Sequence, residues 1–410
     1  MRRNCLVAIV FAIAILLVGF GCESQPSAAE ETEILKITVG EPTTLSSVEY
    51  DNSATLSVSR TSVVAAFYKR EDTDPPGYFY STSADGGLTW GKEMPSPGGA
   101  ANGTALRDGG VIHADGCCYK IVPSWPWTTR MFRFNDDFSE YAAEMATIHA
   151  PEAAEDYREN RTGSARGPIF NSGKMVQVPN GDMIAPVESF LKGRIKYHPL
   201  FLRSSDLGRT WYHCGSVPAG TKDPNPEFPG EFLGYGEPSI ALLPNGQMLA
   251  MMRTQFSHIP PDYKPMYVSW SDDLAKTWTK PVPTEPHLMG IMPTLAVLDN
   301  GVVACAYGRP GFHVAFSTDN GRTWSQRISF TDLPVPHHTG QEDMVKIGPN
   351  KLIAILKTSN CVPCHDPSVG EVLSTMCLAM RGARFGSVSR VSLIQIPAMA
   401  SASAWAFRVD

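Results

Sequence analysis

The residues best placed to do chemistry lie on one hairpin. Asn245-Gly246 stands between two apolar runs, a strong short-range signal for a tight turn between antiparallel strands. Counting outward from that turn, Glu237 and Arg253 fall opposite each other, near the strand ends away from it. Opposed residues on one face are close enough for a carboxylate and a guanidinium to pair. A guanidinium stays charged and grips carboxylates through two parallel hydrogen bonds, so such an arginine suits an anionic ligand. The plainer alternative is a salt bridge that only braces the strand ends. The same count applied elsewhere brings up further candidates. Arg309, in Tyr307-Gly308-Arg309-Pro310, lies nine residues past Asn300, close to the position of Arg253. Arg70 ends another strand-like run with Asp51 opposite it, and Asp72 and Asp74 follow in the next loop. Arg166 and Glu188 flank the turn at Asn180-Gly181, and Glu342 and Asp343 open the last hairpin.

Those hairpins recur, and so does a second element. The frame S-x-D-x-G-x-T-W occurs at Ser83–Trp90, Ser204–Trp211 and Ser317–Trp324, and at Ser271–Trp278 with Ala275 in the glycine place. Four copies of one eight-residue frame make the chain an array of similar units. The aspartate is expected to accept backbone N–H groups two residues ahead, as an Asx-turn. The glycine supplies a positive φ, and Thr and Trp begin a strand whose indole buries between units. These aspartates read as turn-makers, not catalytic acids. Turns at Asn180-Gly181, Asn245-Gly246 and Asn300-Gly301, a degraded one at Pro349-Asn350, and weaker ones at Ser59-Arg60-Thr61 and Asp108-Gly109-Gly110 divide the chain. The units run over about 50–94, 100–140, 163–215, 236–283, 291–328 and 339–394. Helical periodicity is confined to 138–160. The fold class expected is all-β, a six-bladed β-propeller, each blade four-stranded.

The S-x-D-x-G-x-T-W frame resembles the Asp-box, or BNR repeat, of sialidases and related propellers. The stretch from Glu237 to Arg253 resembles the sialidase segment that carries a catalytic glutamate and then the second arginine of a triad. The resemblance implies that Arg309 is another triad arginine, with Arg70 as a further substrate ligand. It implies a general acid in the loop after the second strand of the first blade, where Asp72 is the candidate and Asp74 its rival. It also implies a ring-closing strand near 34–42 that joins the last blade. Two family features are missing. The region of the first triad arginine reads Val48-Glu49-Tyr50-Asp51-Asn52-Ser53, without arginine. The region of the nucleophilic tyrosine reads Thr339-Gly340-Gln341-Glu342-Asp343-Met344, without tyrosine. Tyr157, Tyr235 and Tyr307 are substitutes by residue type, and Glu342 could act as nucleophile on a neutral sugar. The function expected is glycoside hydrolysis at glycan ends, on sialic acid or a related sugar. The alternatives are a glycan-binding propeller without catalysis, which the missing residues favour, and a scaffold for protein contacts.

Export is written at the N-terminus. Met1-Arg2-Arg3 is basic, and Leu6 to Phe20 is an apolar run too short for a typical membrane span. Gly21-Cys22 followed by a polar tail resembles a lipoprotein cleavage site, although Gly19 stands where leucine is usual. The expected layout is a signal peptide over 1–21, a lipidated tether over 22–35 anchored at Cys22, and the propeller over 36–410. A plain secretory signal is the alternative. Net charge is −6, without a basic run, so nucleic acid is not an expected partner. A glycan ligand, a membrane reached through the lipid, and a monomer are. No cofactor or metal is expected. Cys361-Val362-Pro363-Cys364-His365 matches a haem attachment pattern, but a disulfide among Cys361, Cys364 and Cys377 is the preferred reading for an exported chain. Adjacent Cys117 and Cys118 are too strained to bond each other. His337-His338 reads as an exposed turn. Trp125 and Trp127 suit either stacking on a sugar or packing.

Overall fold

A computed structural model of the chain describes residues 35–358 and 388–395, apart from 36, 41–42, 46–54, 71–76, 99, 120–125, 155–165, 171–172, 193–195, 219–231, 257–264, 309–311 and 331–342. Every regular element among the described residues is a strand. Two short strands, β1 (Thr38–Val39) and β2 (Thr43–Thr44), come first. One four-stranded sheet follows, β3 (Thr55–Val58), β4 (Val64–Arg70), β5 (Gly77–Ser83) and β6 (Met94–Pro95). Next come β7 (Ala100–Ala105), β8 (Val111–Asp115), β9 (Cys117–Tyr119), β10 (Trp127–Phe134) and β11 (Tyr141–His149). Then come β12 (Ala153–Ala154), β13 (Arg166–Ile169), β14 (Val176–Gln177), β15 (Met183–Leu191), β16 (Tyr197–Ser204) and β17 (Thr210–Ser216). A further meander is β18 (Phe232–Leu242), β19 (Met248–Phe256), β20 (Tyr267–Ser271) and β21 (Val282–Pro283). Another four-stranded sheet holds β22 (Ile291–Val297), β23 (Val303–Gly308), β24 (Phe312–Ser317) and β25 (Gln326–Ser329). The last hairpin is β26 (Asp343–Gly348) and β27 (Lys351–Thr358), followed by β28 (Val388–Gln395).

The meanders are antiparallel, and parallel contacts join some of their edges. β11 pairs with β17 and β16 with β18, so β7 to β21 form one continuous sheet. The leading strands of successive meanders pack side by side: β3 on β7, β18 on β22, β22 on β26, and β26 back on β3. β1 and β2 pair with β28, which pairs with β27, so the N-terminal strand joins the sheet of the last hairpin. The turns lie where the sequence puts them. Leu243 N–H donates to Gln247 O at 2.8 Å across Asn245-Gly246, and equivalent bonds close the turns at Asn180 and Asn300. The segment with helical periodicity is instead strand β11. Its alanines and glutamates favour a helix, but pairing with β10 and β17 overrides that preference.

Each copy of the repeated frame closes the same turn. Ser317 Oγ donates to Asp319 Oδ1 at 2.7 Å and accepts the Gly321 N–H at 2.8 Å. Asp319 Oδ1 accepts the N–H groups of Arg322 and Thr323 at 3.0 and 2.8 Å, and Oδ2 accepts the Thr323 hydroxyl at 2.7 Å. The carboxylate therefore reaches three and four residues ahead, further than the two of an Asx-turn. Glycine is favoured at 321 on two counts. Its φ is +81°, and an added Cβ would stand 2.6 Å from Leu249 Cδ2 on the neighbouring meander. Ala275 takes the same backbone position at φ +69°. Trp211, Trp278 and Trp324 are buried between meanders, and Trp278 stacks on Phe201 with centroids 4.3 Å apart. Burying each ring removes roughly 200 Å² from water, on the order of 5 kcal/mol at about 25 cal/mol/Å². Only Thr210-Trp211 goes on directly as a strand.

Candidate functional site

The site is assembled where the leading strands lose their regularity. In the β18–β19 pair, Ser239 faces Met251, but Gly236, not Glu237, faces Arg253. One extra residue is taken up between Gly236 and Ser239, and Glu237 sits in this bulge at φ +48°. The simple count from the turn missed that shift. The neighbouring β22–β23 pair has the same irregularity, with Met292 at φ +54°. A left-handed glutamate and a left-handed methionine are uncommon, and such strain persists only where the surroundings fix it.

What fixes it is a set of short polar contacts. Arg253 Nη1 donates to Glu237 Oε1 at 2.6 Å, with both side chains largely buried. The Met292 N–H donates to Glu237 Oε2 at 2.9 Å. Glu237's own N–H donates to Glu188 Oε2 at 2.6 Å, and Gln255 Nε2 reaches the same oxygen at 3.4 Å. Glu188 comes from β15, facing Ile169 of β13. A Cβ at Gly236 would overlap Glu188 Oε2, so the glycine lets this carboxyl approach the bulge. Four strands thus converge on two carboxyl groups and one guanidinium.

The two carboxyls meet different environments. Burial pushes Glu188 up to about 7, and the nearby Glu237 charge adds to this; the Glu237 N–H, Arg253 and Gln255 oppose it. Glu237 has the guanidinium against it. Arg253 Nε is buried and has no hydrogen-bond partner among the described residues.

Asp343 makes a second, separate contact of the same kind. It accepts the Leu56 N–H at 2.6 Å and its own neighbour's, Met344, at 2.7 Å, and it pairs with Lys174. Lys174 also donates to Leu56 O at 2.8 Å. Next to Lys174, Gly173 packs against the Pro238–Ser239 backbone just beyond Glu237.

The other sequence candidates are distributed as follows. Arg309, Asp72, Asp74, Glu342, Tyr157, Trp125, Cys22, Cys361, Cys364, Cys377 and His337-His338 lie outside the described residues. Gly308, not Arg309, faces Ile291 in the place that corresponds to Arg253. Arg70 ends β4 opposite Gly77, and Arg166 faces Tyr119; their side chains are not described. Tyr235 is buried against Phe232 and Tyr267. Burial holds the Tyr307 phenol up at about 12, despite the nearby Arg327 guanidinium, which disfavours it as a nucleophile at neutral pH. Trp127 is buried in the core. Among the described residues no group of three or more His, Cys, Asp or Glu is arranged to hold a metal ion. Glu188 stood in the sequence reading only as a charge after a hairpin, and nothing local to it signals the contact with Glu237. Gln255 and the Met292 N–H were not anticipated.

A family model described as a BNR repeat-like domain matches residues 144–367, more than half of the chain, and this span contains Glu188, Glu237 and Arg253. No curated protein matches the sequence. Among solved structures, a protein of unknown function from Dyadobacter fermentans has 14% identity and a TM-score of 0.62, covering 88% of this chain and 99% of that one. An α-L-arabinanase from Penicillium chrysogenum, solved with arabinobiose, has 14% identity and a TM-score of 0.54, covering 87% and 98%. A Hadza microbial sialidase has 14% identity and a TM-score of 0.51, covering 74% of this chain and 62% of that one. At such identities the likeness is one of fold.

Proposed function

The chain belongs to the family of BNR repeat-like domains, and from that premise we propose that it is a glycoside hydrolase acting on the ends of glycans. The observation that carries this reading is the buried pair Glu188–Glu237 with Arg253 on one side of it. Glycosidic cleavage needs a proton for the leaving oxygen and negative charge near the oxocarbenium-like centre. Glu188, held up by burial, is the proton donor. Glu237, fixed by Arg253 and the Met292 N–H, is the standing negative charge. Asp72, Glu342, Arg70 and Arg309 are further proposed site residues, on the strength of the sequence resemblance alone. The architecture proposed is a six-bladed propeller whose leading strands are β3, β7, β14, β18, β22 and β26. The protein is proposed to be a monomer, exported through residues 1–21 and anchored by lipid at Cys22 in the periplasm or at the cell surface.

One observation favours a second reading. Both Glu237 oxygens are engaged within the protein. A carboxylate so occupied suits a binding propeller without catalysis. The two readings separate in a single assay. Purified mature protein and Glu237→Gln are compared on a panel of aryl glycosides, sialosides included. Sugar release that Glu237→Gln lowers at least about 100-fold supports the hydrolase. Retained glycan binding with no release from any substrate supports the binding propeller.

A further inference from the structure

We propose that Gln255 is a positioning residue for Glu188: together with the Glu237 N–H it engages Oε2 of that carboxyl and so leaves the acidic proton to Oε1. This rests on the reading of Glu188 as the proton donor. Both hydrogen bonds that Glu188 accepts from described residues end on Oε2, from the Glu237 N–H at 2.6 Å and from Gln255 Nε2 at 3.4 Å. A protonated carboxyl has one O–H and one carbonyl oxygen. A proton on Oε2 would point at N–H groups, which cannot accept it. Oε2 is therefore the carbonyl oxygen, and Oε1 holds the proton to be given away.

The strands explain how Gln255 comes to this place. Gln255 and Arg253 stand two apart on β19, and side chains two apart share one face of a strand. Arg253 reaches Glu237, and Gln255 reaches Glu188. The path of Gln255 runs over Gly236, where an added Cβ would stand 2.4 Å from Gln255 Nε2 and 2.2 Å from Glu188 Oε2. Any side chain at 236 would part the two. β19 thus gives each carboxyl a donor of a different kind. A guanidinium pairs with Glu237, whereas a neutral amide orients Glu188 without a full positive charge, which would favour the ionised form. Among the described residues, the charged groups that act on Glu188 are Glu237 from β18 and Arg253 from β19. The residues paired with it on β13 and β16 are Ile169 and Pro199, which carry no charge.

The Glu188 carboxyl can be titrated directly by NMR, in purified protein whose glutamates are isotope-labelled at the carboxyl carbon. Its resonance is the one lost in Glu188→Gln, and its midpoint in the parent protein is expected near 7. Gln255→Met removes the amide at similar volume and should raise that midpoint by about half a pH unit. Gln255→Lys brings an ammonium and should lower it by about one unit. Each comparison changes residue 255 alone, so every other charge of the site is common to both proteins. The pH profile of kcat/KM on aryl glycosides is measured in parallel. Its upper limb, where the donor loses its proton, should move with the midpoint in both variants. Opposite midpoint shifts without sugar release from the parent would leave the placing of the Glu188 proton standing and remove the hydrolase. Sugar release whose limb stays fixed while the midpoint moves would keep the hydrolase and overturn Gln255 as a positioning residue for its donor. A midpoint that stays put in both variants, or that falls in Gln255→Met because residue 255 accepts the proton, would overturn the inference whatever the activity.

Discussion

Replacing Glu188 by glutamine should change how stability depends on pH more than it changes stability itself. Glutamine keeps an oxygen to accept the Glu237 N–H, and it cannot ionise. In the native protein the Glu188 carboxyl titrates near 7, against 4.5 for the free group, chiefly because it is buried. The folded state therefore binds this proton more tightly than the unfolded state. The stability so gained is complete below about pH 4.5 and is lost as pH rises through about 7. The total is about 2.5 pH units, or on the order of 3 kcal/mol. The unit from Lys36 to Asp410 has an unfolding entropy near 0.8 kcal/mol/K at ~2.1 cal/mol/K per residue, so this corresponds to a Tm difference of about 4 °C. Thermal unfolding of the parent protein and Glu188→Gln would be followed from pH 4.5 to pH 8. The variant's Tm should gain about 4 °C on the parent across that range. Parallel Tm curves for the two proteins would refute the buried, proton-binding role of Glu188.

Arg253→Met should destabilise the protein by about 3–4 kcal/mol at pH 7, since it strands a buried carboxylate. Adding Glu237→Gln to Arg253→Met should restore more than half of that loss; denaturant unfolding of the single and double variants checks both statements. Gly321→Ala should cost about 1–3 kcal/mol through its left-handed backbone and the contact with Leu249, and Ala275→Gly should gain about 0.5–1 kcal/mol by relieving the same backbone; calorimetry distinguishes them. Hydrogen bonds from the Thr89 hydroxyl, the Thr89 N–H and Ser83 hold Asp85 down to about 2. Its contribution should be present above about pH 3.8 and vanish as pH falls through about 2. Asp85→Asn should therefore flatten that part of the acid-unfolding profile.

The sequence made the repeat and its turns plain because each rests on local physics. A Ser, an Asp and a Gly at fixed spacing can close a turn without help from the rest of the chain. Asn-Gly likewise needs only its own backbone. From these, strands, units and the placement of the buried tryptophans follow. Strand β11 shows where local reading fails. Its residues favour a helix, and only the parallel partner β17 and the antiparallel partner β10, both beyond its own segment, make it extended. The site fell between these cases. Glu237 and Arg253 were visible as ends of one hairpin, and their ion pair is present. Glu188 lies 49 residues from Glu237, so no spacing rule links the two.

The count that found Glu237 succeeded for a reason that differs from its premise. It assumed a regular ladder, in which Glu237 faces Arg253 across the pair. The ladder instead slips at Gly236; in a regular strand the Glu237 N–H would lie in the plane of the sheet, toward a neighbouring strand, and its side chain perpendicular to it. Only in the bulge can Glu237 offer its N–H to Glu188 and its carboxylate to Arg253 and the Met292 N–H. Met292 has the same backbone conformation on the next meander and supplies the donor that completes Glu237. The two irregular strands thus hold each other in place. A glutamate at this position thus combines a left-handed backbone with polar contacts through its N–H and both carboxylate oxygens. Removing its contacts one at a time should release the strain in steps, with Met292→Gly relaxing its own backbone while leaving the Glu237 hydrogen bond available.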